Sequence, residues 1–291
     1  MSDRSATLTQ APPPVEQPPI EQLMRGYRWR SVLLPDGGEI SVQVPLTPED
    51  FLNPQEGDFV PESTFHATAI NDLYSLLRAR FGADPNTAVF SDLIIRWGIP
   101  GLSDPAPDIA VIPDVRDRDR NRRTFKVREE GTRPLLIIEV VSPDYRKQDL
   151  IDKVEIYERA GVQEYVILEQ REQRGQVIDL ITGYRLEGDH YRPLLLEDDG
   201  RMVLQTVGLY ISLQNGKVML EDAATGERLH TAEEAEAARA AEAQARAQAE
   251  QRAQEAEQRV QAEAQARAEL AAQLEALRAE LARLKSEPPT P

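Results

Sequence analysis

The 291-residue chain lacks cysteine and has only three histidines, His66, His190 and His230, which lie far apart in the sequence. Without cysteine there can be no disulfide, thiolate-bound zinc, iron–sulfur cluster or cysteine nucleophile. The scattered histidines also argue against a multi-histidine metal site. Any chemistry must therefore come from carboxylates, lysines or hydroxyl groups.

Long apolar runs are also absent. The most apolar segment, residues 135–141, is interrupted by Glu139, whereas a bilayer crossing needs roughly 20 apolar residues. The first residues contain no apolar stretch of the kind found in secretory signals. These absences predict a cytoplasmic protein with no membrane segment.

Basic residues are scarce relative to acidic ones: 34 Lys and Arg face 50 Asp and Glu, so the formal net charge is −16. This balance argues against a protein that coats nucleic acid by bulk charge. Residues 116–128 are the local exception, with seven basic and two acidic side chains. We interpret them either as a patch that follows a phosphate backbone or as a solvated hairpin without a ligand.

Composition divides the chain into three zones. Residues 1–22 are rich in proline and predict a disordered tail. Residues 23–228 alternate between strand-like and helix-like patterns and are long enough for one domain. Residues 229–291 consist largely of Ala, Glu, Gln and Arg, which favour helix.

The middle zone predicts a mixed sheet flanked by helices, an α/β or α+β fold. The pattern indicates a hairpin around residues 35–38 and a helix that begins at Ser63 or Thr64 and ends near residues 81–82. It also predicts one strand over residues 87–97 and another over 109–112. Residues 135–141, 147–160 and 164–168 then read as strand, amphipathic helix and strand. Such a crossover places its two strands parallel and side by side.

The last zone ends in a heptad pattern. Leucines are spaced alternately four and three residues apart, at Leu270, Leu274, Leu277, Leu281 and Leu284. This spacing predicts a coiled coil over residues 260–285 that joins two copies of the chain. A single solvated helix without a partner is the alternative, because the apolar pattern weakens towards the start of the segment.

Two carboxylates and a lysine are the candidate catalytic residues. Glu139 lies inside the most apolar strand, where a carboxylate must be paired, protonated or bound to a cation. Asp108 stands at the entry of another apolar strand, and Lys153 lies on the helix that folds back over Glu139. Such a set could bind Mg²⁺ for phosphodiester hydrolysis. The structural alternative is that Asp108 caps the entry of its strand and that Glu139 is a buried acid paired with an arginine such as Arg133 or Arg96.

Two segments together form a family-specific signature, although any one piece would be weak evidence. They are PDIAVIPD, which begins at residue 107, and LLIIEVVSPDYRKQDLIDKVEIYERAGVQEYVIL, which begins at residue 135. Across residues 46–213 the chain resembles the Uma2 family, also catalogued as the domain of unknown function DUF820 and placed in the PD-(D/E)XK nuclease superfamily. The resemblance implies a restriction-endonuclease-like fold and metal-dependent cleavage of nucleic acid.

The same resemblance assigns roles to individual residues. It implies that Asp108 and Glu139 bind the metal and that the carbonyl of Val140 is a further ligand. It offers Lys153 as a migrated catalytic lysine and Glu62 as an upstream helical acid.

Other positions are weaker candidates or depart from the pattern. The superfamily's lysine position, two residues after the glutamate, is Val141 here. Lys147 is a poorer substitute than Lys153, His66 follows Glu62 by one helical turn, and Asp92 could line the same cleft. Where the family commonly has EYW followed by an acid, this chain has EYV and a strand that ends at Glu169.

These observations lead to two hypotheses from different classes. The first is a DNA endonuclease that uses Mg²⁺ or Mn²⁺, with RNA or modified DNA as alternative substrates. The second is a catalytically silent scaffold that keeps the nuclease fold and is dimerised by its C-terminal helix. A large separation between Asp108 and Glu139 would favour the scaffold.

Overall fold

The computed structural model describes residues 18–34, 36–141 and 145–286, with side chains described up to residue 282. The chain divides into two compact units, residues 1–231 and residues 232–291. Most of the predicted proline-rich tail, residues 1–17, lies outside the described residues.

Short helices and many strands make up the first unit. Its helices are α1 (Ile20–Leu23), α2 (Pro48–Leu52), α3 (Thr64–Arg80), α4 (Val127–Glu130) and α5 (Lys153–Ala160). Its strands are β1 (Tyr27–Leu33), β2 (Glu39–Pro45), β3 (Ala88–Phe90), β4 (Ile94–Arg96), β5 (Ile109–Ile112), β6 (Thr124–Lys126), β7 (Leu136–Val140), β8 (Glu164–Gln173), β9 (Gln176–Glu187), β10 (His190–Leu194), β11 (Met202–Leu204), β12 (Leu209–Gln214) and β13 (Lys217–Asp222).

A six-stranded sheet in the order β10-β9-β8-β7-β5-β3 forms the centre of this unit. Only β7 and β8 pair in parallel within it, and the other neighbours are antiparallel. All five residues of β7 are buried, as expected for a strand covered on both faces. The predicted mixed sheet and the predicted strand–helix–strand crossover are both confirmed.

Two apolar cores lie on opposite faces of the central sheet. Helix α3 contributes Leu73 and Leu77 to one core, while α5 contributes Tyr157 to the other. The predicted α3 is confirmed: the Ser63 side chain caps its start by accepting a hydrogen bond from the backbone N–H of His66. The sheet thus holds a helix against each face.

Two sequence-based predictions of secondary structure were wrong in detail. Residues 87–97 form not one strand but two, β3 and β4, which belong to different sheets. The break falls at Asp92, whose φ of 51° is incompatible with an extended strand.

The predicted helix over 147–160 opens with a π-helical segment, Gln148–Asp152, before α5 begins. It ends as predicted at Gly161, which adopts the left-handed conformation.

Strands β1 and β2 form the predicted hairpin, which is fixed firmly to the rest of the unit. The backbones of Tyr27 and Phe59 exchange two hydrogen bonds of 2.9 and 2.8 Å. Arg28, which is buried, donates to both carboxylate oxygens of Asp58 at 2.8 and 2.7 Å. Gly26 has a φ of 133°, and a Cβ there would lie 2.9 Å from the Phe59 carbonyl oxygen. Only glycine allows this close approach.

Two arginines of the basic segment, Arg118 and Arg122, are held within the fold by hydrogen bonds to backbone carbonyls. Arg118 donates to the carbonyls of Phe81 and Gly82, at the end of α3. Arg122 donates to the carbonyl of Arg116 at 2.6 Å and to Glu130 at 3.1 Å. Three further side-chain pairs are Arg120–Glu130, Arg123–Glu56 and Lys126–Glu129. The segment is therefore tied into the fold at Arg118 and Arg122, while the side chains of Arg120, Arg123 and Lys126 are 52–83% exposed, so the phosphate-backbone interpretation stays a prediction.

The second unit is one helix, α6 (Ala232–Ser286). Its apolar side chains are exposed: Leu270 by 64%, Leu274 by 45%, Leu277 by 63% and Leu281 by 54%. The helix is confirmed, whereas its pairing with a second copy stays a prediction. Within the described ranges, no helix is both long enough and apolar enough to cross a membrane.

Glu164, the first residue of β8, is completely buried and joins the central sheet to the sheet of β11–β13. Its carboxylate accepts hydrogen bonds from Arg185 at 2.9 Å and from the backbone N–H groups of Gln205 and Thr206 at 3.0 and 3.1 Å. The hydroxyl of Thr206 donates to it as well. These bonds satisfy the buried charge.

We expect Glu164→Gln to lower the free energy of unfolding by about 2–3 kcal/mol, because the amide cannot accept all of these hydrogen bonds and leaves Arg185 without its charge partner. Urea denaturation followed by circular dichroism measures the change. Glu172→Gln, at an exposed position of the same strand, is the matched control. Equal effects of the two substitutions would contradict the structural role of Glu164.

Candidate active site

Strand register brings Asp108 and Glu139 together. In the antiparallel pairing of β5 with β7, Ile109 lies opposite Ile138, so the start of one strand meets the end of the other. The backbone N–H of Val140 donates to Asp108 Oδ2 at 2.7 Å, and the backbone N–H of Asp108 lies 3.4 Å from Glu139 Oε2. The two predicted acids are therefore neighbours rather than distant residues.

Lys153 is the buried cation beside Glu139. Its Nζ lies 3.0 Å from Glu139 Oε1 and 2.8 Å from Asp149 Oδ1, and all three side chains are at most 3% exposed. The phenol of Tyr157 donates to the same Glu139 oxygen at 2.6 Å. A lysine on α5 and a tyrosine one turn later thus hold one carboxylate.

The predicted arginine partners of Glu139 lie elsewhere. Arg96 pairs with Asp104, and Arg133 donates to the carbonyl of Ala160. The alternative of a structural glutamate–arginine pair is therefore wrong. Lys147 is exposed, in contrast to the buried Lys153.

Asp149 is a site residue that sequence reasoning missed. It lies in the π-helical segment, is 2% exposed and forms an ion pair with Lys153. The hydroxyl of Tyr165 donates to its backbone carbonyl at 2.9 Å. The available signal was an acid four residues before a lysine, but that spacing is also typical of surface pairs on helices.

Glu62 and His66 extend the cluster towards solvent. His66 Nε2 lies 3.5 Å from Asp108 Oδ2, and His66 Nδ1 lies 3.6 Å from Glu62 Oε2. Glu62 is half exposed, whereas His66 is largely buried. Both side chains line the same cleft as Asp92, Asp108, Glu139 and Lys153. The cleft is small, with a cavity volume of about 100 Å³.

Burial and charge together shift the ionisation of these groups. Burial raises the pKa of Glu139 to about 8, although the attraction of Lys153 opposes the shift. Burial likewise raises the pKa of Asp149 and of Asp92. Burial alone would lower the pKa of Lys153, but Asp149 and Glu139 raise it above its usual value. The buried lysine thus remains charged.

His66 carries a raised pKa for a comparable reason. Burial of the ring lowers the pKa of His66. The hydrogen bond to Asp108 and the negative charges of Asp108 and Glu62 outweigh this effect, so the pKa is raised overall. The imidazole therefore tends to be protonated beside these acids.

Negative charge is in excess in this cleft. Seven acidic side chains line the cleft with one lysine and one histidine; the acids are Asp50, Asp58, Glu62, Asp92, Asp108, Glu139 and Asp149. Asp50 and Asp58 are paired with Arg28, which leaves five acids around Lys153 and His66. Carboxylate and carbonyl oxygens are the donors that Mg²⁺ and Mn²⁺ prefer. In the part of the chain that the structure describes, no three His, Asp or Glu side chains form a complete metal site by themselves. A divalent cation that keeps several waters fits this donor set, because it needs few protein ligands.

A family model described as "Uma2: Putative restriction endonuclease" matches residues 55–217, more than half of the chain. One similar solved structure is described as a "putative nuclease belonging to DUF820 from Anabaena variabilis ATCC 29413". The identity is 15% and the TM-score 0.35, with 53% of this chain and 90% of that chain covered. No curated protein matches.

We expect Lys153→Met to destabilise the protein more at pH 8 than at pH 5 when a chelator is present. Without the ammonium, Glu139 and Asp149 keep pKa values above those of the unfolded chain, so the folded state binds more protons. Stability then falls as the pH rises, by about 1.4 kcal/mol per pH unit for each extra proton.

Urea denaturation at the two pH values measures this difference. Lys147→Met, which removes an exposed lysine from the preceding turn, is the control and should show little pH dependence. A loss of stability in Lys153→Met that is equal at both pH values would contradict the expected coupling.

Proposed function

The chain belongs to the Uma2 family, and on that premise we propose that it is a metal-dependent endonuclease that hydrolyses phosphodiester bonds of DNA in this cleft. The observation that carries the proposal is the contact of buried Glu139 with Lys153 on one side and Asp108 on the other. The excess of acids leaves room for a further positive charge. We also propose that the protein acts in the cytoplasm.

Asp108, Glu139 and the carbonyl of Val140 are the proposed holders of Mg²⁺ or Mn²⁺. When bound, such an ion supplies a polarised phosphoryl oxygen and a water with a lowered pKa. The protein's own contribution is to fix the donors: the Val140 N–H orients Asp108, and Tyr157 orients Glu139. Preorganised donors of this kind need little rearrangement during reaction.

Lys153 is proposed to stabilise the negative charge that develops during hydrolysis. Its ammonium remains charged because Asp149 and Glu139 are in contact with it. Asp149 is the proposed positioning residue, because it contacts the ammonium of Lys153 at 2.8 Å and is itself only 2% exposed. Glu62 is the proposed helical acid at the mouth, and His66 connects it to Asp108.

A scaffold function is the second candidate, favoured by the exposed leucines of α6. It predicts that nucleic acid is not cleaved under any metal condition. The proximity of Asp108 and Glu139 supports the enzyme instead, because a scaffold has no need to place two acids next to a buried lysine.

We expect purified protein to nick supercoiled plasmid in Mg²⁺ or Mn²⁺ but not in chelator. Asp108→Asn, Glu139→Gln and Lys153→Met should each reduce cleavage by about a hundredfold or more, since each removes a charge from the reacting centre. Gel electrophoresis of the products gives the rate.

Asp198→Asn, which alters an exposed acid of the same unit, is the control and should retain full activity. Single-stranded DNA and RNA are tested in parallel to identify the substrate. Full activity in all three site variants would refute the assignment, and absence of cleavage of every substrate would favour the scaffold.

We further propose that two copies of the chain associate through the seam of α6 over residues 260–285. Exposed leucines at a and d positions normally lie against a partner helix. Two linked active sites would suit cleavage of both strands of a duplex.

We expect the double substitution Leu274→Glu with Leu277→Glu to convert a dimer into a monomer, because both changes place charge in the apolar seam. Sedimentation velocity measures the change. The matched control is Ala272→Glu with Ala279→Glu, which adds the same charge on the outer face. A monomeric wild-type protein would contradict the coiled coil.

A further inference from the structure

A second cavity lies beside β3, the last strand at one end of the central sheet. Its volume is about 440 Å³, compared with about 100 Å³ for the acidic cleft, and the two cavities share no lining residue. Its wall includes β3, the end of α3 and residues 118–122. We call it the basic cavity because four arginines line it: Arg78, Arg118, Arg120 and Arg122.

The lining of the basic cavity is positively charged, although the whole chain has a net charge of −16. Asp119 is the one acid among the lining residues, and its side chain is 77% exposed. Glu130, which is not part of the lining, pairs with Arg120 and Arg122 and offsets part of their charge. The cavity therefore favours an anionic ligand, in contrast to the acidic cleft.

Two of the four arginines fix the shape of the cavity. Arg118 donates to the carbonyls of Phe81 and Gly82, at 3.0 Å each, and so attaches the loop to the end of α3. The side chain of Arg122 is 2% exposed and donates to the carbonyl of Arg116 at 2.6 Å. These bonds hold the wall in place before any ligand arrives.

The other two arginines present their guanidinium groups to solvent. The side chain of Arg120 is 58% exposed and contacts Glu130 through one nitrogen at 2.8 Å. Arg78 is also exposed and donates from one nitrogen to the hydroxyl of Tyr74 at 3.1 Å. A guanidinium has five N–H donors, so both arginines keep donors for a further acceptor. Their fork geometry matches the oxygens of a phosphate group.

Planar groups and size restrict the ligand further. The rings of Tyr74, Phe81 and Phe90 line the same cavity. The Arg122 guanidinium lies 5.8 Å from the centre of the Phe90 ring, and that of Arg78 lies 5.5 Å from the centre of the Tyr74 ring. Nucleobases stack on such rings and guanidinium planes. The volume falls within the roughly 300–1,000 Å³ of pockets for small organic ligands, so an inorganic anion alone would leave most of it unfilled.

We propose that the basic cavity binds a nucleoside phosphate, with Arg78 and Arg120 on the phosphate and the base against the planar groups of the wall. This site does not depend on the proposed endonuclease, because the cleft and the cavity share no lining residue. A free nucleotide and the phosphorylated end of a nucleic acid strand present the same chemical group.

Calorimetric titration of the full chain in chelator tests the proposal. The probes are adenosine 5′-monophosphate, thymidine 5′-monophosphate, adenosine and inorganic phosphate. We expect a nucleotide to bind at one site per chain and more tightly than either adenosine or inorganic phosphate, because only the nucleotide supplies both the anion and the planar base. Added salt should weaken its binding.

Substitutions locate the site. We expect Arg78→Gln with Arg120→Gln to weaken nucleotide binding at least about tenfold, since charge-assisted hydrogen bonds are lost. The matched control is Arg116→Gln with Arg123→Gln, which removes the same charge from exposed positions outside the cavity and should bind like wild type. Circular dichroism of both double variants checks that the fold is retained.

A 5′-phosphorylated oligonucleotide and its 5′-hydroxyl counterpart distinguish the two sources of the ligand. Tighter binding of the phosphorylated strand that is lost in Arg78→Gln with Arg120→Gln would identify a strand end. Binding of the nucleotide without such a preference would identify a free nucleotide. Either result supports the proposed site.

Three results would overturn the proposal. The first is the absence of binding by both nucleotides. The second is equal affinity for a nucleotide and for inorganic phosphate, because the cavity would then recognise only the anion. The third is an equal loss of affinity in the two double variants, because the effect would then come from net charge rather than from this cavity.

Discussion

The buried contact between Glu139 and Lys153 constrains the rest of the site. A lone carboxylate inside β7 would cost several kcal/mol, and a lone ammonium would cost as much. The two charges can be buried only if α5 crosses directly over the end of β7. The parallel pairing of β7 with β8 achieves this, because the connection between parallel strands must pass over the sheet. The ion pair and the crossover therefore depend on each other.

The conspicuous features of the sequence predicted which side chains meet in the cleft, namely Asp108, Glu139 and Lys153. A glutamate within an apolar run is a strong signal, and it correctly indicated a buried acid with a cation nearby. Lys153 followed from the helical spacing and from the family resemblance. Asp149 escaped notice because its environment is set by a π-helical segment, which no pattern in the sequence revealed. The spacing of Asp149 and Lys153 is typical of an ion pair on a helix surface, but Asp149 is buried.

Predictions failed where distant parts of the chain determine local structure. Asp92 interrupts the predicted strand because its backbone adopts a positive φ and its N–H donates to the carbonyl of Pro107. Residues 116–128 looked uniformly available to a ligand, but Arg118 and Arg122 are held by backbone carbonyls of their own unit, which composition cannot display. Residues of the family signature also divide by role in a way the sequence did not show: Tyr157 contacts the site, whereas Glu164 joins two sheets.

Arg118 and Arg122 are bound within the fold, which reduces the positive charge available for binding a nucleic acid. The affinity of most nucleic-acid-binding proteins falls steeply with ionic strength, because each neutralised phosphate releases counterions. In this protein Arg118 and Arg122 already neutralise carbonyl dipoles and an acid of their own chain. These two arginines are therefore not available to release counterions from a nucleic acid, whereas Arg120, Arg123 and Lys126, which are 52–83% exposed, are. The dependence of binding on salt concentration would then be less steep than the seven basic residues of the segment alone suggest, because two of them are already committed to the fold.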